Sequence, residues 1–265
     1  MAGQEAADSR LGCLVSTESR ALHNLDVQIK DHVFVVTGAS YGIGLETARA
    51  LTAGGGRVAL LARSGEALTA LAGELSGSLA VTVDVTDFGA FRAAIDKVHS
   101  HYGRIDGLIN NAGRSYGATV EEIDPAVFDE IFHLNVLAPI IGMQAVIPYM
   151  RAQGGGCIVN INSGTTFMTI PGYSVYSSSK RALMGFSLTA REELAADGII
   201  VSSVYPAVTA TNFGVNRMGD SPHAPKSDYS KGDSAAFVAE FVVKAVLEGE
   251  ADYFVNDYLK KLAGR

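Results

Sequence analysis

Residues His32–Gly44 read HVFVVTGASYGIG, and this stretch sets how the rest of the chain is interpreted. Val33, Phe34, Val35 and Val36 are consecutive apolar residues, three of them β-branched, and favour a strand buried on both faces of a parallel sheet. Gly38, Gly42 and Gly44 follow, with Ser40, Tyr41 and Ile43 between them, and LETARALTA then takes up a helical period. The combination predicts a strand, a tight turn and a helix whose free N–H groups face an anion. Glycine lets a backbone approach a pyrophosphate with no Cβ in the way. The spacing is Gly-x-x-x-Gly-x-Gly rather than Gly-x-Gly-x-x-Gly. Taken alone, such a turn also serves any strand that hands over to a helix.

Outward from this stretch the chain alternates. Strands are predicted at Arg57–Ala62, Leu79–Val83, Asp106–Asn110, Cys157–Ile161 and Ile199–Tyr205, with a short one at Tyr253–Val255. Helices are predicted at Glu66–Leu75, Phe88–His101, Pro125–Met150, Tyr176–Ala196 and Ala235–Leu247. The alternation implies an α/β fold, a doubly wound parallel sheet with helices on both faces, formed by a single domain over residues 31–265. Pro125 suits a first helical turn, whereas Pro139 predicts a kink or split inside the long helical stretch. Residues 206–232 show little periodicity and follow a strand's C-terminal end, where open sheets bind ligands. The same pattern also reads as a surface insertion.

Composition narrows the function classes. A net charge of −7 over 265 residues disfavours a nucleic-acid partner, which needs a basic face. Cys13 and Cys157 suggest no disulfide framework, so a reducing, cytoplasmic setting is expected. Residues 1–30 carry charges throughout and read as an extension, flexible or packed on a neighbour, rather than a secretory signal. No run of eighteen apolar residues occurs, so no bilayer-spanning segment is expected. The histidines show no ligand spacing with cysteines, and no metal site is expected.

Several residues could carry chemistry. Tyr176 and Lys180 stand at i and i+4 of a helix, on one face. An ammonium beside a phenol favours the phenolate, and the pair can exchange a proton with a substrate oxygen; the same pair alone also reads as an ordinary solvated helix face. Ser163, just past the strand Cys157–Ile161, can hold a carbonyl or alcohol oxygen, or simply make a turn, with Thr165 as the substitute if the register is off by two. Asn110, Asn111, Ala112 and Gly113 let the chain pass close to a flat ring, or form a turn. Asn135 lies in an apolar helical stretch and needs partners for its amide, a water beside Lys180 or the local backbone.

Together these residues resemble the short-chain dehydrogenase/reductases, over about Asp31 to Val255. Thr37–Gly44 is similar to the family's glycine motif and Asn110–Gly113 to its Asn-Asn-Ala-Gly, while Asn135, Ser163, Tyr176 and Lys180 match the active-site residues in order and separation. The resemblance implies that Tyr176 gives or takes the substrate proton, that Ser163 orients the reacting oxygen, that Lys180 holds the nicotinamide ribose and lowers the tyrosine pKa, and that Asn135 supports a water. It also implies that Asp84 and Val85 contact adenine, that Asp106 steadies the central turns, and that Thr211 meets the nicotinamide carboxamide. Where the family has Pro-Gly this chain has Pro206-Ala207, followed by Val208 and Thr209, which puts the geometry of that loop in question.

NAD-preferring relatives carry an acid after the second strand; here Arg63 and Ser64 stand there, so NADP(H) is expected over NAD(H). Tyr41 occupies a place where some NADP-preferring relatives are basic. Phe167, Met168, Ile170, Tyr173, Tyr205 and Phe213 suggest a small-molecule ketone or secondary alcohol with a sizeable apolar part, or else belong to the core. A 3-oxoacyl thioester reductase and a non-catalytic dinucleotide sensor are the alternatives. The resemblance further implies a homodimer or homotetramer packed through the Pro125–Met150 and Tyr176–Ala196 helices.

Overall fold

The apolar run at Val33 becomes an interior strand because both faces of the sheet are covered. The computed structural model describes residues 28–214, 216–219, 221 and 228–264. Its strands are β1 (Val33–Thr37), β2 (Arg57–Ala62), β3 (Leu79–Thr82), β4 (Gly107–Asn110), β5 (Gly156–Ile161), β6 (Ile199–Tyr205), β7 (Thr209–Ala210), β8 (Asp233–Ser234) and β9 (Asp252–Phe254). Its helices are α1 (Gly42–Ala53), α2 (Gly65–Glu74), α3 (Phe88–Tyr102), α4 (Pro125–Phe132), α5 (Ala138–Ala152), α6 (Ser174–Leu194), α7 (Ala235–Glu248) and α8 (Asp257–Leu262). Seven strands make one sheet in the order β3-β2-β1-β4-β5-β6-β9, and every pairing is parallel. β7 and β8 form a separate two-stranded ribbon.

Alternate residues of β1 serve opposite layers. Val33 and Val35 pack with α3, α5 and α6 through Phe91, Ile95, Val146 and Leu194. Phe34 and Val36 pack with α1, α2 and α7 through Leu51, Leu68 and Val242. The strand order reverses between β1 and β4, and at such a point the two flanking loops part and leave a crevice at the C-terminal edge.

The predicted split near Pro139 takes a definite form. His133–Leu137 is a π-helical turn between α4 and α5, and Pro139 falls in the first turn of α5. Proline offers no N–H to the carbonyl four residues back, so the helix widens just before it. Pro148 remains inside α5. The continuous stretch Pro125–Ala152 is, by length and composition, long and apolar enough to cross a bilayer, which the count of consecutive apolar residues missed. Here α5 instead lies against α3 and the sheet within the fold.

The sequence pattern did not show the β7–β8 ribbon, the 3-10 turns at Val120–Glu122, Gly164–Phe167 and Tyr229–Lys231, or α8. Asp106 sits away from the glycine turn. It accepts hydrogen bonds from the Val33 N–H (2.8 Å) and from Arg104 at the N-terminal edge of the sheet, so it anchors the start of β1. Residues 1–27, with Cys13, and residues 215, 220 and 222–227 of the 206–232 loop lie outside the described residues.

Candidate active site

β1 and β4 end side by side, and their two loops are stitched together. Thr37 Oγ1 accepts from the N–H groups of Asn111 and Ala112, both at 3.0 Å. Asn111 Nδ2 donates to the carbonyls of Thr37 (2.9 Å) and Gly38 (3.2 Å). Gly38 and Gly42 adopt φ of 66° and 61°, the region in which side chains are strained. Gly44 lies behind the turn, where a Cβ would press on the Gly38 carbonyl and come within 2.5 Å of Asn111 Nδ2. The first turn of α1 has no side-chain cap and no acidic residue, so its N–H groups are left for a ligand.

Two adjoining cavities run along this edge and share Gly38, Tyr41, Ala112 and Gly113. Ser40, Arg63, Ser64, Asp84 and Val85 line one of them. Gly42, Ile43, Asn111, Ser163, Thr165, Tyr173, Tyr176, Lys180, Pro206, Ala207, Thr209, Thr211 and Phe213 line the other. Ala207 keeps an ordinary φ, since among the described residues Asp31 is the sole non-glycine with a positive one. This turn therefore needs no glycine.

α6 presents Tyr176 and Lys180 one turn apart, and both are buried. Tyr176 and Ser163 line the same cleft, and the serine draws the phenol's pKa down. Ser163 Oγ accepts from Thr165 N (3.2 Å) and Thr165 Oγ1 (3.0 Å), which fixes its rotamer. Lys180 Nζ donates to the Ile161 carbonyl at 2.8 Å. An ammonium has three N–H donors, so donors remain for the cleft it lines. Asn135, carried inward by the π turn, is fully buried. It accepts from Arg114 N (3.0 Å) and donates to Arg114 O (2.9 Å) and Ser179 Oγ (3.0 Å). Ser179 in turn donates to the Tyr176 carbonyl at 2.7 Å. Gly113 passes close over this group, and a Cβ there would lie 3.2 Å from Asn135 Oδ1 and 3.6 Å from Lys180 Nζ.

Electrostatics depart from expectation. Burial pushes the Tyr176 phenol up to about 12, and Ser163 is what pulls it the other way. Burial also draws Lys180 down to about 8. Loss of solvation thus outweighs any help from the neighbouring ammonium.

Phe167 also departs. Its ring faces Tyr205 (5.0 Å) and Phe254 (5.7 Å) and is not in the cleft wall, because the 3-10 turn after Ser163 rotates it toward the edge of the sheet. Tyr205 is core as well, with its hydroxyl on Asp252. Met168 and Ile170 line the cleft in their place. Sequence reasoning placed Thr37 in the glycine motif without a role of its own, and missed Ser179 and the α8 residues Tyr258 and Leu259. Ser179 was findable, being three residues after Tyr176 on the inward face of its helix.

The glycine cradle, the uncapped helix start and the buried lysine with donors to spare together fit a dinucleotide. Comparison with known proteins agrees. The family model described as short chain dehydrogenase matches residues 32–220. The chain is 33% identical over 246 residues to the mouse protein "Dehydrogenase/reductase SDR family member 7B", covering 89% of this chain and 76% of that one. It is 36% identical over 187 residues to 2-(R)-hydroxypropyl-CoM dehydrogenase of Xanthobacter autotrophicus, covering 68% and 75%. Among solved structures, a short-chain dehydrogenase from Streptomyces avermitilis superposes with a TM-score of 0.77 at 28% identity, covering 88% and 90%. The chain belongs to the short-chain dehydrogenase family, NAD(P)-dependent oxidoreductases that act on carbonyl and alcohol groups.

Proposed function

We propose that this protein is an NADP(H)-dependent oxidoreductase that interconverts a ketone and a secondary alcohol bearing a sizeable apolar group. The observation that carries the reading is the convergence of Tyr176, Ser163 and Lys180 on one cleft that the glycine turn also lines. When bound, the nicotinamide supplies or accepts the hydride at the substrate carbon. Ser163 donates to the substrate oxygen and fixes its position. Tyr176 Oη gives that oxygen its proton during reduction and takes it back during oxidation. Lys180 holds the ribose hydroxyls, and Asn135 braces the Gly113–Arg114 backbone against α6. Met168, Ile170, Tyr173 and Phe213 give the substrate end its apolar walls. A panel of ketones assayed with NADPH tests the assignment; dinucleotide binding with no turnover on any of them would favour a sensor.

Arg63 supports the choice of NADP. It follows the last residue of β2, its side chain is 70% exposed, and it stands 3.9 Å from Asp84, a loose surface pair from which it can turn toward a 2′-phosphate. Arg63→Ala is expected to weaken NADPH about tenfold or more, the worth of a charge-assisted hydrogen bond, while NADH is spared. Fluorescence titration of both nucleotides checks this, and equal wild-type affinities would refute it.

The pH profile follows from the two buried groups. A phenol held up to about 12 stays protonated through neutral pH, so reduction has its acid in place and oxidation lacks its base. Rates of alcohol oxidation are therefore expected to climb as pH rises. Lys180, down to about 8, loses its charge above that pH, and dinucleotide affinity is expected to fall there. Titrations across this range in the free enzyme read both trends; an affinity that improves above pH 8 contradicts the assignment of Lys180.

We also place the protein in a reducing compartment such as the cytoplasm, in keeping with the buried free thiol of Cys157. A dimer or tetramer packed through α5 and α6 is supported by exposed Phe186 on the outer face of α6, and light scattering tests it.

A further inference from the structure

Asn256, Tyr258 and Leu259 line the same cavity as Ser163 and Tyr176, although they lie eighty or more residues further along the chain. α8 is seated there by specific contacts. Asn256 Oδ1 accepts from Leu259 N at 3.0 Å and starts the helix. Leu259, 2% exposed, packs on Gly164, where a Cβ would come within 2.6 Å of Leu259 Cδ2 and 3.2 Å of the Pro206 carbonyl. Gly164 N also donates to Pro206 O at 2.8 Å. The turn after Ser163, the loop after β6 and α8 therefore make one wall. On that wall Tyr258 is 61% exposed and Val208 45%, large apolar surfaces left uncovered beside a reaction site. Among the described residues lining this cavity Lys180 is the single charged one, so the wall suits an uncharged ligand.

We propose that α8 is the outer wall of the substrate end and that Tyr258 selects uncharged ketones or alcohols with an extended alkyl or aryl tail. The inference rests on the proposed ketone/alcohol chemistry of the cleft. A substrate whose oxygen sits at Ser163 and Tyr176 leaves Tyr258 and Val208 for its far end to cover. Short substrates do not reach that surface, whereas long ones bury it and gain affinity with each added methylene.

The test is a ladder of dissociation constants for 2-alkanones, from 2-butanone to 2-undecanone, measured by calorimetry on the protein saturated with NADP+. In wild type the constants are expected to tighten along the series. In Tyr258→Ala the long end stops tightening, and 2-undecanone binds about tenfold more weakly. Tyr258→Phe, which keeps the ring, restores the wild-type ladder. Tyr176→Phe keeps the ladder while losing turnover, so failure of the assigned chemistry is separable from failure of this inference. An unchanged ladder in Tyr258→Ala, or a flat one in wild type, overturns it. So does a uniform weakening accompanied by a shift in gel-filtration volume, which would mean that a second copy of the chain covers the ring.

Discussion

Tyr176→Phe is expected to lower turnover by about 10²–10⁴-fold, the usual contribution of a positioned general acid, while the dinucleotide dissociation constant stays unchanged. Phenylalanine keeps the ring, which sits 5.9 Å from Phe213 and 6.2 Å from Tyr173 in edge and tilted contacts. What is removed is one oxygen, the phenol's, in the cleft that Ser163 also lines. Ser163 keeps its two bonds from Thr165, so the oxygen-binding group stays in place. Lys180 keeps the Ile161 carbonyl, so the proposed ribose contact is undisturbed. Steady-state rates with NADPH and direct titration of the nucleotide separate chemistry from binding. Turnover that survives the substitution removes Tyr176 from the acid–base role, and lost nucleotide binding would mean the residue is structural.

Gly44→Ala is expected to have the largest effect on stability. Its new methyl would press on the Gly38 carbonyl and on Asn111 Nδ2, and neither can step aside cheaply. The carbonyl is backbone, and Asn111 is tied to two carbonyls of the same turn. Overpacking of this kind costs about 1–3 kcal/mol, and each neutral hydrogen bond lost adds about 0.5–1.5 kcal/mol. For a chain of this size that corresponds to a Tm lower by roughly 4–12 °C, with weaker dinucleotide binding because this turn is the proposed pyrophosphate site. Gly73→Ala is the control. It lies on α2 with nothing within 4 Å of the added Cβ, and replacing glycine in a helix gains about 0.5–1 kcal/mol. Calorimetric melting of both variants reads the difference; a Gly44→Ala protein that melts with wild type would show the turn to be looser than its contacts imply.

Much of this architecture follows from local periodicity. β2 and β6 occupy the predicted residues, and α3 and α7 differ from them by one residue at the C-terminal end, because buried parallel strands and amphipathic helices write their burial into consecutive side chains. Short elements carry no such record. α8 has six residues, too few for a 3.6-residue period to show, and its place is set by Leu259 meeting Gly164 from far along the chain. Phe167 and Met168 are neighbours of similar character, and a 3-10 turn decides which of them faces the cleft.

On its own the sequence established a parallel sheet flanked by helices. The residues at Gly38–Gly44, Asn111, Ser163, Tyr176 and Lys180 each also read as a turn or a solvated helix face, and only their joint resemblance to one family pointed to a shared site. Spacing along a helix or from a strand end fixes direction, and direction is local. Only the tertiary structure decided the environment of those groups. Desolvation of Tyr176 and Lys180 depends on every segment that closes over them, and the inward turn of Asn135 depends on a helix widened ahead of Pro139. Solvation is a sum over neighbours distant in the chain, and no run of consecutive residues contains it.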